Sequence, residues 1–123
     1  MNTAANAYAR TAHSALSPRE AESALLMKAA QRLMGASQGL AAGDTKLLNE
    51  ALSYNQRIWT LLSSEATRDD NPLPADLKAG VGRLGVFVLR SCLDTMIAPS
   101  AEKIATLVSI NNNVAAGLQG NPG

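Results

Sequence analysis

Rings are scarce in this chain. Tyr8, Tyr54, Trp59 and Phe87 are the only aromatic residues among 123, so no aromatic cluster can anchor a core. Cysteine occurs once, as Cys92, which excludes an internal disulfide and gives no sign of an oxidising compartment. Histidine also occurs once. His13 has no cysteine or acidic neighbour at metal-ligand spacing, so no metal site is expected. Charge of one sign never accumulates: eleven basic and ten acidic residues leave a net +1, and the basic ones stand singly. A nucleic-acid binder concentrates basic charge on one face, so direct contact with DNA or RNA is not expected.

Long apolar runs are missing too. The best candidate, VGRLGVFVLRSCL, is broken by Arg83 and Arg90 and falls short of the ~20 residues that cross a bilayer. MNTAANAYARTAH at the start has no apolar core of the kind a secretory signal needs. These absences predict a soluble, cytoplasmic protein with no membrane partner.

Catalytic constellations are equally absent. Cys92 sits among apolar positions and reads as a small buried side chain. GVGRLG has the spacing of a dinucleotide fingerprint, but no strand precedes it. Asp69 and Asp70 fall in a charged, proline-flanked loop. Without an acid–base pair, metal cluster or phosphate cradle, neither catalysis nor a cofactor is expected.

What the chain does contain is alanine and leucine at helical spacing. Its length suits one domain, and the pattern predicts an all-α, compact bundle of about five helices over residues 1–123, with 1–4 and 119–123 frayed. A first helix is expected in AANAYARTAHSAL. Ser17, Pro18 and Glu20 then form a capping box that opens a second, burying Leu25, Leu26, Ala29, Leu33 and Met34. Asp44 caps a third, on which Leu48, Leu52, Asn55, Trp59 and Leu62 make one stripe. Leu47, Ala51, Tyr54, Ile58 and Leu61 make its neighbour. Two stripes exceed the ~100° of a simple surface helix, so this one is expected to be central.

TRDDNPLPA is a loop, and Pro74 opens a fourth helix with Leu77, Val81, Leu84, Val88 and Ser91 on one face. Local propensity alone would also allow VFVLRSCL as a strand. Gly82 and Gly85 each cost about 1 kcal/mol inside a helix, which predicts that another helix crosses closely there. After Pro99 and Ser100, the last helix carries Ile104, Leu107, Val108, Asn111, Val114 and Leu118, with Gly117 as its expected cap.

Two places break the pattern of apolar inside and polar outside. Asn55 and Arg57 flank Trp59, and Asn111–Asn113 interrupt the last apolar stripe. One reading makes Trp59 a core residue and the asparagines part of a local hydrogen-bond network. The other makes these positions the edge of a groove that receives a partner helix.

Several stretches taken in order, NAYAR, SPREAESALLMKAAQRL, LLNEALSYNQRIWTLL, NPLP and EKIATLVSINNNVAAGL, resemble the FlaF-type flagellar biosynthesis regulators of α-proteobacteria. The likeness runs from about Tyr8 to Leu118. It departs at INNN, where Asn112 stands in place of a basic residue. The resemblance implies a small cytoplasmic helical protein acting on flagellin, as export chaperone or as regulator of flagellin synthesis. It also implies a link with a second regulator, FlbT, which acts on flagellin messenger RNA. Flagellin is thus the expected partner, through an amphipathic segment that would aggregate before filament assembly. The expected groove is lined by Ile58, Trp59, Leu62, Leu107, Ile110 and Val114. Tyr54 borders it, and Arg57 and Asn111 set the register of the guest.

Overall fold

Helix boundaries fall where the chain changes chemistry. The computed structural model describes residues 18–120. Helix α1 runs Pro18–Ser37, α2 Lys46–Ala66, α3 Ala75–Ile97 and α4 Ala101–Leu118. A single 3-10 turn, Leu40–Ala42, separates α1 from α2. No strand occurs among the described residues, so the fold is all-α and VFVLRSCL is helical. Four helices stand among the described residues, where about five are expected in the whole chain. The expected first helix and the Ser17 half of the capping box lie outside the described residues.

Each start has a local cause. Gly43 adopts φ +78°, a left-handed turn that glycine takes without a steric penalty. Asp44 Oδ1 then accepts from the Lys46 N–H at 3.1 Å. Pro74 stands directly before α3, and its carbonyl accepts from Lys78 N–H at 3.0 Å. Ser100 is an N-cap: its Oγ accepts from Lys103 N–H at 3.1 Å. At the far end, Gly117 stays inside α4, and the left-handed residue is Gly120, φ +79°.

The helices pack as antiparallel neighbours. Ser23, early in α1, donates to the Ala115 carbonyl late in α4, while Met34 and Ser37 face Ala101 and Ala105 at the other end. On α1's other side, Arg32 stacks on the Tyr54 ring of α2. Helix α2 packs on both α1 and α3, the central place its two stripes predict. Helix α3 is an edge: it packs chiefly on α2 and touches α4 only lightly. Lys103 Nζ nonetheless ties the α3–α4 corner, meeting Asp94 Oδ2 at 2.9 Å and the Ala98 carbonyl at 2.8 Å.

Leu26, Leu33, Leu48, Leu52, Trp59, Val88 and Leu107 are wholly enclosed in one continuous core. Met34, expected inside, is 55% exposed, because α4 covers the adjacent face of α1 and leaves that flank open.

The close crossing expected at the glycines is real at Gly85. A Cβ there would stand 2.1 Å from Ser63 Oγ and 3.2 Å from Ser63 Cβ on α2. Ser63 Oγ is itself buried without a partner. Gly85→Ala is therefore expected to cost about 1–2 kcal/mol in urea unfolding, the overpacking outweighing the propensity gain. Adding Ser63→Ala should remove most of that loss, since it deletes the clashing hydroxyl.

Candidate functional site

Trp59 is the natural starting point, because an indole N–H can only donate. Its Nε1 donates to Asn111 Oδ1 at 2.8 Å, which fixes how the Asn111 amide is turned. The Asn111 Nδ2 then donates to Asn55 Oδ1 at 2.7 Å and to the Leu26 carbonyl at 3.2 Å. Asn55 in turn directs its Nδ2 at Cys92 Sγ, 3.4 Å away. Trp59, Asn55, Asn111 and Cys92 are all fully enclosed. The chain of contacts therefore touches all four helices of the described residues: Leu26 on α1, Asn55 and Trp59 on α2, Cys92 on α3 and Asn111 on α4. Burial pushes the Cys92 thiol up, partly offset by the Asn55 amide, so it is a neutral structural side chain.

This arrangement corrects the expected groove. Trp59, Leu107 and Asn111 are entirely buried, Leu62 is buried, and Ile58 and Val114 are nearly so. In this packing Trp59, Leu107 and Asn111 present no surface on which a guest helix could lie, and the other three show only a small part of theirs. Their stripes face neighbouring helices of the same chain, which is why they are apolar. Trp59 is a pin and not a rim. Three expected residues do reach the surface: Arg57 is exposed, and Tyr54 and Ile110 are half-buried. They do not form one site. Tyr54 lies under Arg32 of α1, Arg57 borders a shallow depression with Ser53 and Thr60, and Ile110 lies on α4.

The uncovered apolar surface is elsewhere. Along α3, Val86, Leu89 and Leu93 follow steps of three and four, with Met96 three and Ile97 four beyond Leu93, and so form one stripe. Val86, Leu93 and Ile97 are 55%, 54% and 83% exposed, while Leu89 and Met96 are half-buried along its inner margin. The stripe spans about three turns, roughly 17 Å. Phe87, half-exposed, lies on the helix's other flank. Periodicity carried a signal of this: α3 has apolar residues on more of its circumference than one core face requires.

A second, smaller feature lies between α1 and α2. Leu25, Ile58, Leu61 and Leu62 floor a pocket of about 200 Å³ that Glu22 and Glu65 flank. Burial raises the Glu22 carboxyl above its ordinary value, the Glu65 charge adds to this, and Arg19 opposes it. A carboxyl raised on folding binds its proton more tightly in the folded chain. It therefore weakens the fold above that raised value, and the penalty fades as pH falls to the ordinary carboxylate range. Glu22→Gln should accordingly raise the melting temperature at pH 7, with the gain shrinking towards pH 4.

Among the described residues, no cluster of three or more His, Cys, Asp or Glu could hold a metal ion. No helix there is long and apolar enough to cross a membrane.

Residues 4–118 match the family of the flagellar protein FlaF. The chain belongs to that family. No curated protein and no solved structure matches it significantly. Membership makes this a flagellum-related helical protein, and the open α3 stripe is its most prominent candidate for contact with another protein.

Proposed function

We propose that this FlaF-family protein is a cytoplasmic flagellin-binding chaperone that also regulates filament biosynthesis, acting by binding and not by catalysis. The observation that carries the reading is the α3 stripe of Val86, Leu93 and Ile97, apolar and open to solvent. Isolated exposed apolar residues are common, but a continuous stripe is the usual mark of a contact surface. An amphipathic flagellin segment of about three turns would match its length and bury its own sticky face against it.

Helix α3 suits this task because its inner face is anchored chiefly on α2, with only light contact to α4. A guest laid along the stripe would take the place of a missing neighbour. The arrangement also favours release, since no part of the core has to open. A link to a FlbT-type regulator fits the same surface, with messenger RNA reached through that partner; the scattered basic residues favour no direct RNA contact.

Co-expression with the cognate flagellin tests the proposal. The native chain should comigrate with flagellin in size exclusion at micromolar concentration. Leu93→Asp combined with Ile97→Asp should lose at least tenfold in affinity, or about 1.4 kcal/mol, with an unchanged circular dichroism spectrum. Retained comigration of that folded double variant would overturn the placement on α3.

A further inference from the structure

We infer that the guest of the α3 stripe is an amphipathic helix carrying carboxylates about seven residues apart beside its apolar face, one meeting Arg83 and the other Arg90. The inference rests on α3 being the contact surface and adds the chemistry of what that surface accepts. Arg83, Val86, Arg90, Leu93 and Ile97 follow one another in steps of three, four, three and four, the repeat that makes a seam between two paired helices. All five are exposed. Val81, Gly85, Val88 and Cys92 form the buried line on the opposite side of the helix, so the seam faces away from α2.

A wholly apolar seam would accept any apolar helix, and this one is more selective. Neither Arg83 nor Arg90 has an ion pair or a side-chain hydrogen bond among the described residues. Asp94, near the seam, is already taken: its Oδ2 meets Lys103 Nζ at 2.9 Å. The two guanidiniums stand about 10 Å apart along the axis, and a helix laid alongside presents carboxylates at the same interval on one face. Arginine can grip a carboxylate through two parallel N–H donors. With Val86, Leu93 and Ile97 covered by the guest, that contact is partly shielded from water and so strengthened.

Two other occupants fit less well. A second copy in parallel register sets each arginine against itself. Between Arg83 and Ile97 the copy has a single carboxylate to offer, Asp94, which Lys103 already holds. An anionic lipid surface is read by clusters of about 4–8 basic residues, and this seam carries only Arg83 and Arg90.

Anisotropy titrations of the full-length chain test this with two dye-labelled helical peptides. One has a leucine face with glutamates about seven residues apart, and its twin has lysines in their place. The glutamate peptide should bind about tenfold more tightly or better, since like charges across a contact are strongly disfavoured. Arg83→Glu with Arg90→Glu, both surface changes, should keep the native circular dichroism spectrum and reverse the preference. Leu93→Asp with Ile97→Asp should abolish binding of both peptides. Equal affinity for the two peptides, a preference that survives the charge reversal, or no binding of either would overturn the inference. So would self-association of the native chain, or its retention on phosphatidylserine vesicles, that the arginine double variant loses. Flagellin separates this inference from the reading beneath it. Comigration with flagellin that persists in the arginine double variant, but not in Leu93→Asp with Ile97→Asp, keeps flagellin on α3 and overturns the acidic guest. A reversed peptide preference without any flagellin comigration keeps the acidic guest and overturns the flagellin reading.

Discussion

Asn111→Ala should lower the stability of the bundle by about 3 kcal/mol or more in urea unfolding, well beyond the ordinary surface substitution. Two buried groups lose their partner at once, the Trp59 indole N–H and the Asn55 carbonyl oxygen. Each such orphan costs about 1–3 kcal/mol, and the missing amide leaves a void besides. Since small domains hold only about 5–15 kcal/mol, one amide at this point carries a large share of the fold. Asn111→Asp should be worse at neutral pH, because a carboxylate would face Asn55 Oδ1 without a donor and bury its charge. Trp59→Phe removes the same contact from the other side, so the double variant should lose less than the sum. A coupling of about 1 kcal/mol or more is expected from the cycle. Simple additivity would show that the indole and the amide do not act together.

Leu107→Asp is expected to unfold the chain at neutral pH, with loss of helical circular dichroism and of a cooperative melt. Leu107 has no exposure and sits in the central cluster, where an unpaired carboxylate has neither water nor a cation. Ile97→Asp makes the same chemical change on a residue that is 83% exposed, and its melt should stay within about 0.5 kcal/mol of native. The contrast separates core from contact surface by one substitution type. A folded Leu107→Asp protein would mean that the α4 stripe is accessible after all.

Much of this fold is legible in the sequence, and for identifiable reasons. The α2 stripe of Leu48, Leu52, Asn55, Trp59 and Leu62 is wholly buried, because a 3.6-residue period states which residues share a face. Gly85 announces a close crossing because its helix-propensity cost has few other justifications. Asn55 and Asn111 stand out as amides on apolar stripes. Their pairing does not, because 56 residues separate them and only the packed fold brings them together.

The expected groove is displaced from the open surface for a related reason. Periodicity shows that a face is apolar, not whether another helix of the same chain covers it. On α3 the expected face is also rotated. The buried line runs through Val81, Gly85, Val88, Cys92 and Thr95, and glycine, cysteine and threonine weigh little as apolar markers. Leu93 and Ile97, which do weigh, look outward.

Hydrogen exchange of the chain with and without cognate flagellin tests the central claim most directly. The account predicts added protection along α3 between Val86 and Ile97, with the amides around Trp59 and Asn111 slow in both states. Protection that skips α3, or faster exchange in α2 and α4 as the guest binds, would show that flagellin enters the core and would contradict it.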